Sequence, residues 1–242
     1  MSELNGKKLT GRIAAERIRM TSTPKPPAGA VKRFLALGEC SGLISDVMDS
    51  LGIPEGVIGA STLRPTMTGK VMVGPALTVR NIAQRADPLA AAKAKVNRMA
   101  EFEAHNLAED GDVLVIAGVS GVSNMGGISA LTGRQQGERG AIVMGGVRDV
   151  QHSRSIDYPI WSSELTPATG KWRLETVEIN GEIEICGVRV NPGDLVVADD
   201  TGVVFIPRAG ISEVLELCEK RKAQEDVRCV AIAQGLDVTN NK

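Results

Sequence analysis

Apolar residues recur with helical spacing in several stretches of the chain. Leu43, Val47 and Leu51 lie four residues apart and predict a helix over 41–51 that ends at Gly52. Further helices are predicted over residues 9–20, from residue 28 onward, as one uninterrupted alanine-rich helix over 88–107, and over 128–136, 149–155 and 211–233.

Continuous apolar and β-branched runs predict strands over 70–79, 112–119 and 141–144. These runs alternate with predicted helices, which favours a β/α core with buried parallel strands. After Pro159 the pattern changes to short strands, over 175–179, 182–185, 188–190, 195–198 and 203–206. Asn180-Gly181 joins the first two of these short runs and predicts a β-hairpin.

Prolines divide the N-terminal part of the chain from the rest. Pro24, Pro26 and Pro27 exclude a helix and predict an extended linker. We therefore predict a helical arm and proline-rich linker over 1–36, one main domain over 37–235, and a short C-terminal tail over 236–242.

Composition narrows the possible partners. The 242 residues contain 28 Lys and Arg against 29 Asp and Glu, so no net field attracts nucleic acid or an anionic membrane. Three Phe, two Trp and one Tyr provide few stacking platforms for nucleic-acid bases. No apolar run is long enough to span a bilayer, and the polar start resembles no signal peptide, so we expect a cytoplasmic protein.

The four cysteines are widely spaced and form no C-x-x-C pair. This spacing indicates neither a zinc site nor a disulfide framework, and buried, inert thiols are expected.

A glycine pair between a predicted strand and a predicted helix is the first candidate site. Backbone N–H groups at Gly126, Gly127 and Ile128 are available to an anion there, because the two glycines carry no side chain. The stretch lacks the Gly-x-Gly-x-x-Gly pattern of dinucleotide sites and the Gly-Lys-Ser/Thr ending of a P-loop. A simple tight turn is the alternative interpretation.

Arg148-Asp149 is the second candidate, because it follows the strand predicted over 141–144, and strand ends are where α/β sheets place ligands. Arg148 can hold a carboxylate through two parallel hydrogen bonds, and Asp149 is a hard oxygen ligand suited to Mg²⁺. A surface ion pair is the alternative. His152 lies one helical turn after Asp149, whereas His105 is expected to be an ordinary surface or core residue.

The acidic turns over 191–207 are the third candidate. Asp194, Asp199 and Asp200 could bind a metal, but Asp and Gly between short strands more often serve turn geometry. We favour the structural role for these carboxylates.

Several of these segments together resemble one family, the class II 4-hydroxy-4-methyl-2-oxoglutarate aldolases and RraA-like proteins. The resemblance covers about residues 37–235 in consistent order. It is carried by Gly74-Pro75-Ala76-x-Thr78-Val79, Gly126-Gly127, Gly146-Val147-Arg148-Asp149-Val150, Tyr158-Pro159, Val190-x-Pro192-Gly193-Asp194 and Ala198-Asp199-Asp200-x-Gly202-Val203-Val204.

The resemblance implies an α/β fold of layered αββα type, with a central β core and flanking helices. It also implies a homotrimer or a dimer of trimers with sites between subunits. In the aldolase members a divalent metal (Mg²⁺ or Mn²⁺) and an arginine hold a 2-oxo acid, and cleavage of a carbon–carbon bond releases pyruvate as its enolate.

Carried over to this chain, the family pattern makes Asp149 the metal ligand and Arg148 the group that binds the substrate carboxylate or carbonyl. The amides of Gly126, Gly127 and Ile128 would bind the carboxylate. Lys171 is a further catalytic candidate, and Glu225 would come from a neighbouring subunit. The expected substrate is a small oxo acid.

Two positions depart from the aldolase pattern. Gly127 stands where aldolase members carry Asp, and His152 stands where they often carry an acid, which makes His152 a candidate metal ligand. Gly127 is similar to many RraA-like proteins, whose named member inhibits a ribonuclease without chemistry of its own. Because Arg148-Asp149 is retained, we favour catalysis over a protein-interaction module. Aldol cleavage, oxaloacetate decarboxylation and dehydration all remain open.

Overall fold

A computed structural model describes residues 3, 4, 6–53 and 56–235, so the predicted tail over 236–242 lies outside the described residues. In chain order the strands are β1 (Glu3–Leu4), β2 (Lys7–Lys8), β3 (Val57–Gly59), β4 (Arg64–Pro65), β5 (Met72–Ala83), β6 (Val113–Ala117), β7 (Ser123–Met125), β8 (Gly140–Val147), β9 (Ile160–Leu165), β10 (Leu174–Ile179), β11 (Ile183–Ile185), β12 (Val188–Val190), β13 (Leu195–Ala198) and β14 (Gly202–Ile206). The helices are α1 (Ala30–Ala36), α2 (Ser41–Ser50), α3 (Pro88–Lys93), α4 (Glu101–Leu107), α5 (Gly127–Gln135), α6 (Val150–Ser155) and α7 (Ile211–Ala233).

Ten of the described strands form one mixed sheet in the order β3-β14-β13-β5-β6-β8-β9-β4, with β10 also beside β5 and β7 also beside β8. Neighbours within β5-β6-β8-β9 are parallel, as the alternating pattern predicts. The long strand β5 joins this parallel half to an antiparallel half. Its start pairs with β13, its end pairs with β10, and its middle pairs with β6.

Side-chain alternation along the strands separates the apolar interior into three clusters. On β6, Leu114 and Ile116 join a cluster that includes residues of α4 and α5, whereas Val113 and Val115 join a second cluster between the two halves of the sheet. The third cluster lies between the antiparallel half and the helices α1, α2 and α7. The order of layers is therefore helix, sheet, sheet, helix, and the predicted αββα fold is confirmed.

The helix predicted over 9–20 is wrong. Gly11 has a left-handed φ of 77°, and the only helical turn within 9–20 is a 3-10 turn at Ala15–Arg17. Ile18 instead forms a parallel bridge with Ile179 at the end of β10. Contact with the core outweighs helix propensity here, since this segment buries three apolar side chains in the α4–α5 cluster, those of Leu9, Ile13 and Ile18.

Polar contacts hold the N-terminal segment and the proline-rich stretch against the main body. Lys25 Nζ lies 2.8 Å from the buried Asp112 carboxylate, and Asn180 Nδ2 donates to the Met20 carbonyl at 3.0 Å. The division at residue 36 stays a prediction.

The single helix predicted over 88–107 is also wrong, because the chain forms α3 and α4 with an extended connection between them. In that connection Arg98 bridges to Glu175 of β10, and the Ala100 N–H donates to Thr176 Oγ1 at 2.8 Å. These long-range bonds to β10 interrupt a stretch whose alanine content favours a continuous helix.

The hairpin predicted at Asn180-Gly181 does not form. Asn180 does take the left-handed conformation, with φ 52°, but its N–H donates to the Thr78 carbonyl at 2.8 Å, and Thr78 Oγ1 donates to the Gly181 carbonyl at 2.6 Å. These two hydrogen bonds hold the turn against β5 and separate β10 from β11. As a result β10 pairs with β5, and β11 pairs with β12.

Other local predictions are confirmed. The helix α2 ends before Gly52, which has φ 68° and donates to the Asp49 carbonyl at 3.1 Å, and α7 spans the predicted 211–233. All four cysteines are free, but the expected burial holds only for Cys40 and Cys218, because Cys186 is half-buried and Cys229 is exposed on α7. No helix in the described ranges is long and apolar enough to cross a membrane, and the cytoplasmic location stays a prediction.

Asp199 caps α2 from a distant part of the sequence. Its carboxylate accepts hydrogen bonds from the N–H groups of Cys40 and Ser41 at 3.1 and 2.8 Å and from Ser41 Oγ at 2.7 Å. It also accepts from the N–H of Thr201 at 2.9 Å. Asp199 is 1% exposed, so these bonds form away from water. The structural role favoured for this carboxylate is supported by these contacts.

We expect Asp199→Asn to lower the free energy of unfolding by about 2–3 kcal/mol, because an amide nitrogen must then face backbone donors that now bond a charged oxygen. Urea denaturation measures this change. The matched control is Asp200→Asn, because exposed Asp200 bonds only the Gly69 N–H among its described partners, and we expect a loss of about 1 kcal/mol or less. Equal losses in the two variants would contradict the capping role.

Candidate functional site

The candidate site lies at the carboxyl end of the parallel strand β8. Arg148 and Asp149 follow the last residue of that strand, and Asp149 precedes α6 with a left-handed φ of 56°. A positive φ is uncommon in residues other than glycine. The backbone here therefore turns sharply enough to present two charged side chains together, with 3.5 Å between Arg148 Nε and Asp149 Oδ2.

The glycine pair at the start of α5 packs directly against this turn. The Gly127 N–H donates to Asp149 Oδ2 at 3.0 Å, and the Arg148 N–H donates to the Met125 carbonyl at 3.1 Å. A Cβ on Gly126 would lie 3.0 Å from Asp149 Oδ2 and 3.1 Å from Arg148 Nε. A side chain at residue 126 would therefore press on both charged groups of the site.

One cavity of about 180 Å³ lies beside this contact. Its walls include six of the predicted site residues, Gly126, Gly127, Ile128, Arg148, Asp149 and Lys171. The prediction drew these residues from three separate stretches of sequence, and the fold brings them together. His152 and Glu225 are not among the lining residues.

His152 lies beside the cavity wall, in contact with the position of Gly127. A Cβ built on Gly127 would lie 3.1 Å from the Cβ atoms of both Asp149 and His152, so these two side chains begin on the same side of α5. An acid at residue 127, as in the aldolase pattern, would crowd His152. The two departures from that pattern are thus in contact with each other.

Glu225 is an exposed residue of α7. The prediction assigned it to the site of a neighbouring subunit, and its role stays a prediction.

The cavity contains charges of both signs. Arg148 and Lys171 are cations on its wall, and the Lys171 ammonium also lies 5.7 Å from the centre of the Trp172 ring. The side chain of Arg148 is 38% exposed and that of Asp149 is 51% exposed, so both are open to a small ligand. Paired positive charges in a partly enclosed space suit an anionic substrate.

Sequence reasoning missed two charged residues of the cavity, Arg12 and Glu101. Arg12 comes from the segment wrongly predicted as a helix, and nothing in its local sequence indicates a site. Glu101 did carry a signal. It precedes Ala104 by three residues, which places its carboxylate on the same face of the helix as that apolar residue.

A buried hydrogen-bond network fixes the two helices that border the cavity. His105 on α4 contacts Glu138 through Nδ1 and Ser129 on α5 through Nε2, each at 2.8 Å, and the Tyr158 hydroxyl donates to Glu138 at 2.6 Å. Burial opposes protonation of the ring, yet the charge of Glu138 and its hydrogen bond keep the pKa of His105 above its usual range. His105 is therefore a core residue that positions α4 against α5.

The donor set for a metal is small. Within the described ranges, no group of three or more His, Cys, Asp or Glu side chains is arranged to hold a metal ion. Asp149 offers one carboxylate, already bonded to the Gly127 N–H through Oδ2. Mg²⁺ commonly binds one or two carboxylates and completes its shell with water and substrate oxygens. Asp149 fits that kind of site, and a site built wholly from protein ligands does not fit.

Comparison with known proteins agrees with the layered fold. Protein DlpA of Legionella pneumophila is 30% identical over 194 residues, which are 79% of this chain but only 30% of DlpA. A protein of Halalkalibacterium halodurans, provisionally named a 4-hydroxy-4-methyl-2-oxoglutarate aldolase, is 31% identical over 80% of this chain and 84% of its own length.

Among solved structures, Streptomyces coelicolor RraAS2 superposes with a TM-score of 0.69 over 85% of this chain and 98% of that one. RraAS2 is described as an unusual member of the RNase ES inhibitor RraA protein family, and at 24% identity it supports the fold alone. A family model described as RraA-like, Aldolase/RraA, matches residues 42–205. Both candidate segments of this chain lie within that range. The family resemblance is thereby confirmed, and the chain belongs to the RraA-like family.

Proposed function

We propose that the protein is a metal-dependent carbon–carbon lyase acting on a 2-oxo acid. The reaction is aldol cleavage of a 4-hydroxy-2-oxo acid to pyruvate, oxaloacetate decarboxylation, or both. One observation carries this proposal: Arg148 and Asp149 share a single small cavity with the glycine amides at the start of α5. The similarity to a provisionally named aldolase supports the same class of reaction.

Each lining residue has a role in this proposal. Arg148 holds the substrate carboxylate or the 2-oxo oxygen through its planar guanidinium. The Gly127 N–H is already bonded to Asp149. The substrate carboxylate therefore accepts hydrogen bonds from the N–H groups of Gly126 and Ile128 instead. Lys171 adds positive charge at the wall and stabilises the oxygen that becomes negative when the bond breaks.

Asp149 is the residue that would hold the divalent ion, Mg²⁺ or Mn²⁺. Such an ion supplies Lewis-acid polarisation of the 2-oxo group. His152 is a second candidate ligand in the proposal, because its Cβ starts beside that of Asp149.

We include a homo-oligomer, a trimer or a dimer of trimers, in the proposal. The second half of α7 supports it, because Val227 and Val230 are 72% and 57% exposed close to Glu225. Apolar side chains exposed together on a helix favour contact with another protein surface. Glu225 would then reach the site of a neighbouring subunit.

The alternative is an interaction module without chemistry that regulates a ribonuclease. Gly127 favours this alternative, since it removes the acid of the aldolase pattern. The cavity with its Arg-Asp pair favours the enzyme, because a surface that only binds a protein has no need of a small charged cavity. Both alternatives predict measurable outcomes.

Pyruvate release distinguishes them. We expect the purified protein to release pyruvate from a 4-hydroxy-2-oxo acid or from oxaloacetate when Mg²⁺ or Mn²⁺ is present, and to stop when EDTA removes the metal. A coupled lactate dehydrogenase assay measures the product. Tight binding of a ribonuclease, with no turnover of any oxo acid at any metal concentration, would reject the lyase and favour the interaction module.

We expect Arg148→Lys to lower kcat/KM by about 100-fold, the scale of losing one well-placed donor to a developing negative oxygen. Lysine keeps the charge and loses the planar fork that binds a carboxylate through two bonds. Steady-state kinetics measure the loss. Arg154→Lys, six residues further along the chain and outside the cavity lining, is the matched control and should keep wild-type kinetics. Wild-type kinetics in Arg148→Lys would assign Arg148 to an ordinary ion pair.

We expect Asp149→Asn to abolish Mg²⁺-dependent pyruvate release, because a neutral amide is a poor ligand for a hard cation. The free energy of unfolding should fall by only about 1 kcal/mol, since the amide oxygen can still accept from the Gly127 N–H. Isothermal titration calorimetry with Mg²⁺ provides the direct measurement. If the variant binds Mg²⁺ as tightly as the wild type, the metal is held elsewhere.

A further inference from the structure

Glu101 is a buried carboxyl group on the cavity wall, and one of its two oxygens has no neighbour to bond it. Its residue is 8% exposed, and Oε2 has no hydrogen-bond partner among the described residues. It lines the same cavity as Arg148 and Asp149. Leaving a carboxylate buried and unpaired is costly, and such groups concentrate at functional sites.

The position of Glu101 is fixed by its surroundings. It is the first residue of α4, and the preceding N–H, that of Ala100, is bonded to Thr176 Oγ1. One turn later, His105 ties α4 to α5 through Ser129. The carboxyl is therefore held at the cavity wall by the packing of α4 and by a hydrogen bond from its own backbone N–H.

Glu103, two residues further along α4, is also buried but has a different environment. Its Oε1 accepts hydrogen bonds from the Thr10 hydroxyl and from the Arg12 N–H, the latter at 3.2 Å, whereas its Oε2, like that of Glu101, has no partner among the described residues. Glu103 is not among the residues that line the cavity. One carboxylate of α4 thus holds the N-terminal segment, and the other faces the space available to a ligand.

Burial raises the pKa of Glu101 to about 7. The backbone N–H of Glu101 and the positive charges of His105 and Arg12 oppose this rise, and Glu103 adds to it. Near neutral pH the group therefore exchanges a proton readily, which is the property of an efficient general acid or base. The other charged groups of the cavity wall are Arg148, Asp149 and Lys171.

We propose that Glu101 is the catalytic residue that moves the proton in aldol cleavage, an inference that rests on the proposed lyase function. The Glu101 carboxylate accepts the proton of the substrate 4-hydroxyl. The C3–C4 bond breaks, C4 keeps its oxygen as a carbonyl, and the electron pair of the broken bond moves to the 2-oxo oxygen to give the enolate.

The second half of the reaction returns the proton. After the carbonyl product leaves, the protonated Glu101 gives its proton to C3, the enolate oxygen becomes a carbonyl again, and pyruvate is complete. Glu101 ends as a carboxylate, so the proton taken from the substrate balances the proton delivered to the product.

Comparing the rates on two substrates distinguishes a role of Glu101 in proton transfer from a structural role. Aldol cleavage needs a base, whereas oxaloacetate loses carbon dioxide without giving up a hydroxyl proton, and solvent can then protonate the enolate. We expect Glu101→Gln to lower kcat for cleavage of a 4-hydroxy-2-oxo acid by about 10²- to 10⁴-fold, the usual contribution of positioned proton transfer. Decarboxylation of oxaloacetate should fall by less than about tenfold, because its first step removes no proton.

Glu103→Gln is the matched control, a buried carboxyl on the same helix that does not line the cavity. It should lower thermal stability and, at a pH well above 7 where Glu101 is ionised, leave the ratio of cleavage to decarboxylation unchanged. Because the charge of Glu103 raises the pKa of Glu101, the acid limb of the cleavage pH profile should shift to slightly lower pH in this control. Arg12→Gln tests the electrostatics. Removing this positive charge should shift the acid limb of the cleavage pH profile to higher pH, because the carboxylate loses an attractive neighbour.

Infrared difference spectra add a measurement that requires no turnover. A carboxyl band that titrates near neutral pH in the wild type, and is absent in Glu101→Gln, is the expected result.

The outcomes distinguish failure of the proposed function from failure of the inference about Glu101. Wild-type protein that converts neither substrate rejects the proposed function and this inference with it. If the wild-type protein converts both substrates and Glu101→Gln lowers the two rates equally or lowers neither, the inference alone is rejected. An infrared spectrum that Glu101→Gln leaves unchanged also rejects the inference alone.

Discussion

Two-sided pairing of the strand β5 is the constraint on which the rest of the fold depends. Its start bonds β13, its end bonds β10, and its middle bonds β6, so one continuous strand belongs to both halves of the sheet. Close packing makes this possible. A Cβ on Gly74 would lie 2.2 Å from the Gly111 carbonyl oxygen, so only glycine fits at that contact. The parallel half then ends at the cavity, and the antiparallel half receives α2 and α7.

Close packing at glycine also shapes the candidate site. Because glycine has no side chain, charged groups from another part of the chain can approach its backbone. Gly126 and Gly127 bring the start of α5 against the turn after β8, and the left-handed Asp149 completes that turn. Backbone N–H groups and a guanidinium thus lie together on the wall of one small cavity. His152 occupies the space that a side chain at residue 127 would need.

Local sequence patterns predicted what is decided locally. The four-residue spacing of α2, the span of α7 and the alternation of parallel strands with helices all follow from patterns of a few residues. The pairing of strands does not follow from such local patterns, and the Asn180-Gly181 turn shows why. Asn180 takes the left-handed conformation of a hairpin turn, but its hydrogen bond to Thr78, over a hundred residues earlier, determines the direction of the chain. The same holds for the site. Arg148 and Asp149 are adjacent in sequence, whereas Arg12 reaches the cavity only through tertiary packing.

The origin of Arg12 bears on how such proteins diversify. Arg12 lies outside residues 42–205, the part that matches the family model, yet it forms part of the cavity wall. The framework that presents the Arg-Asp pair lies within the family match, whereas the N-terminal segment supplies Arg12 and also buries Leu9, Ile13 and Ile18 beside α4 and α5. A substitution at Arg12 alone would change the charge of the cavity wall while these apolar contacts stay in place. The charge of the cavity can thus vary through a segment that lies outside the family match.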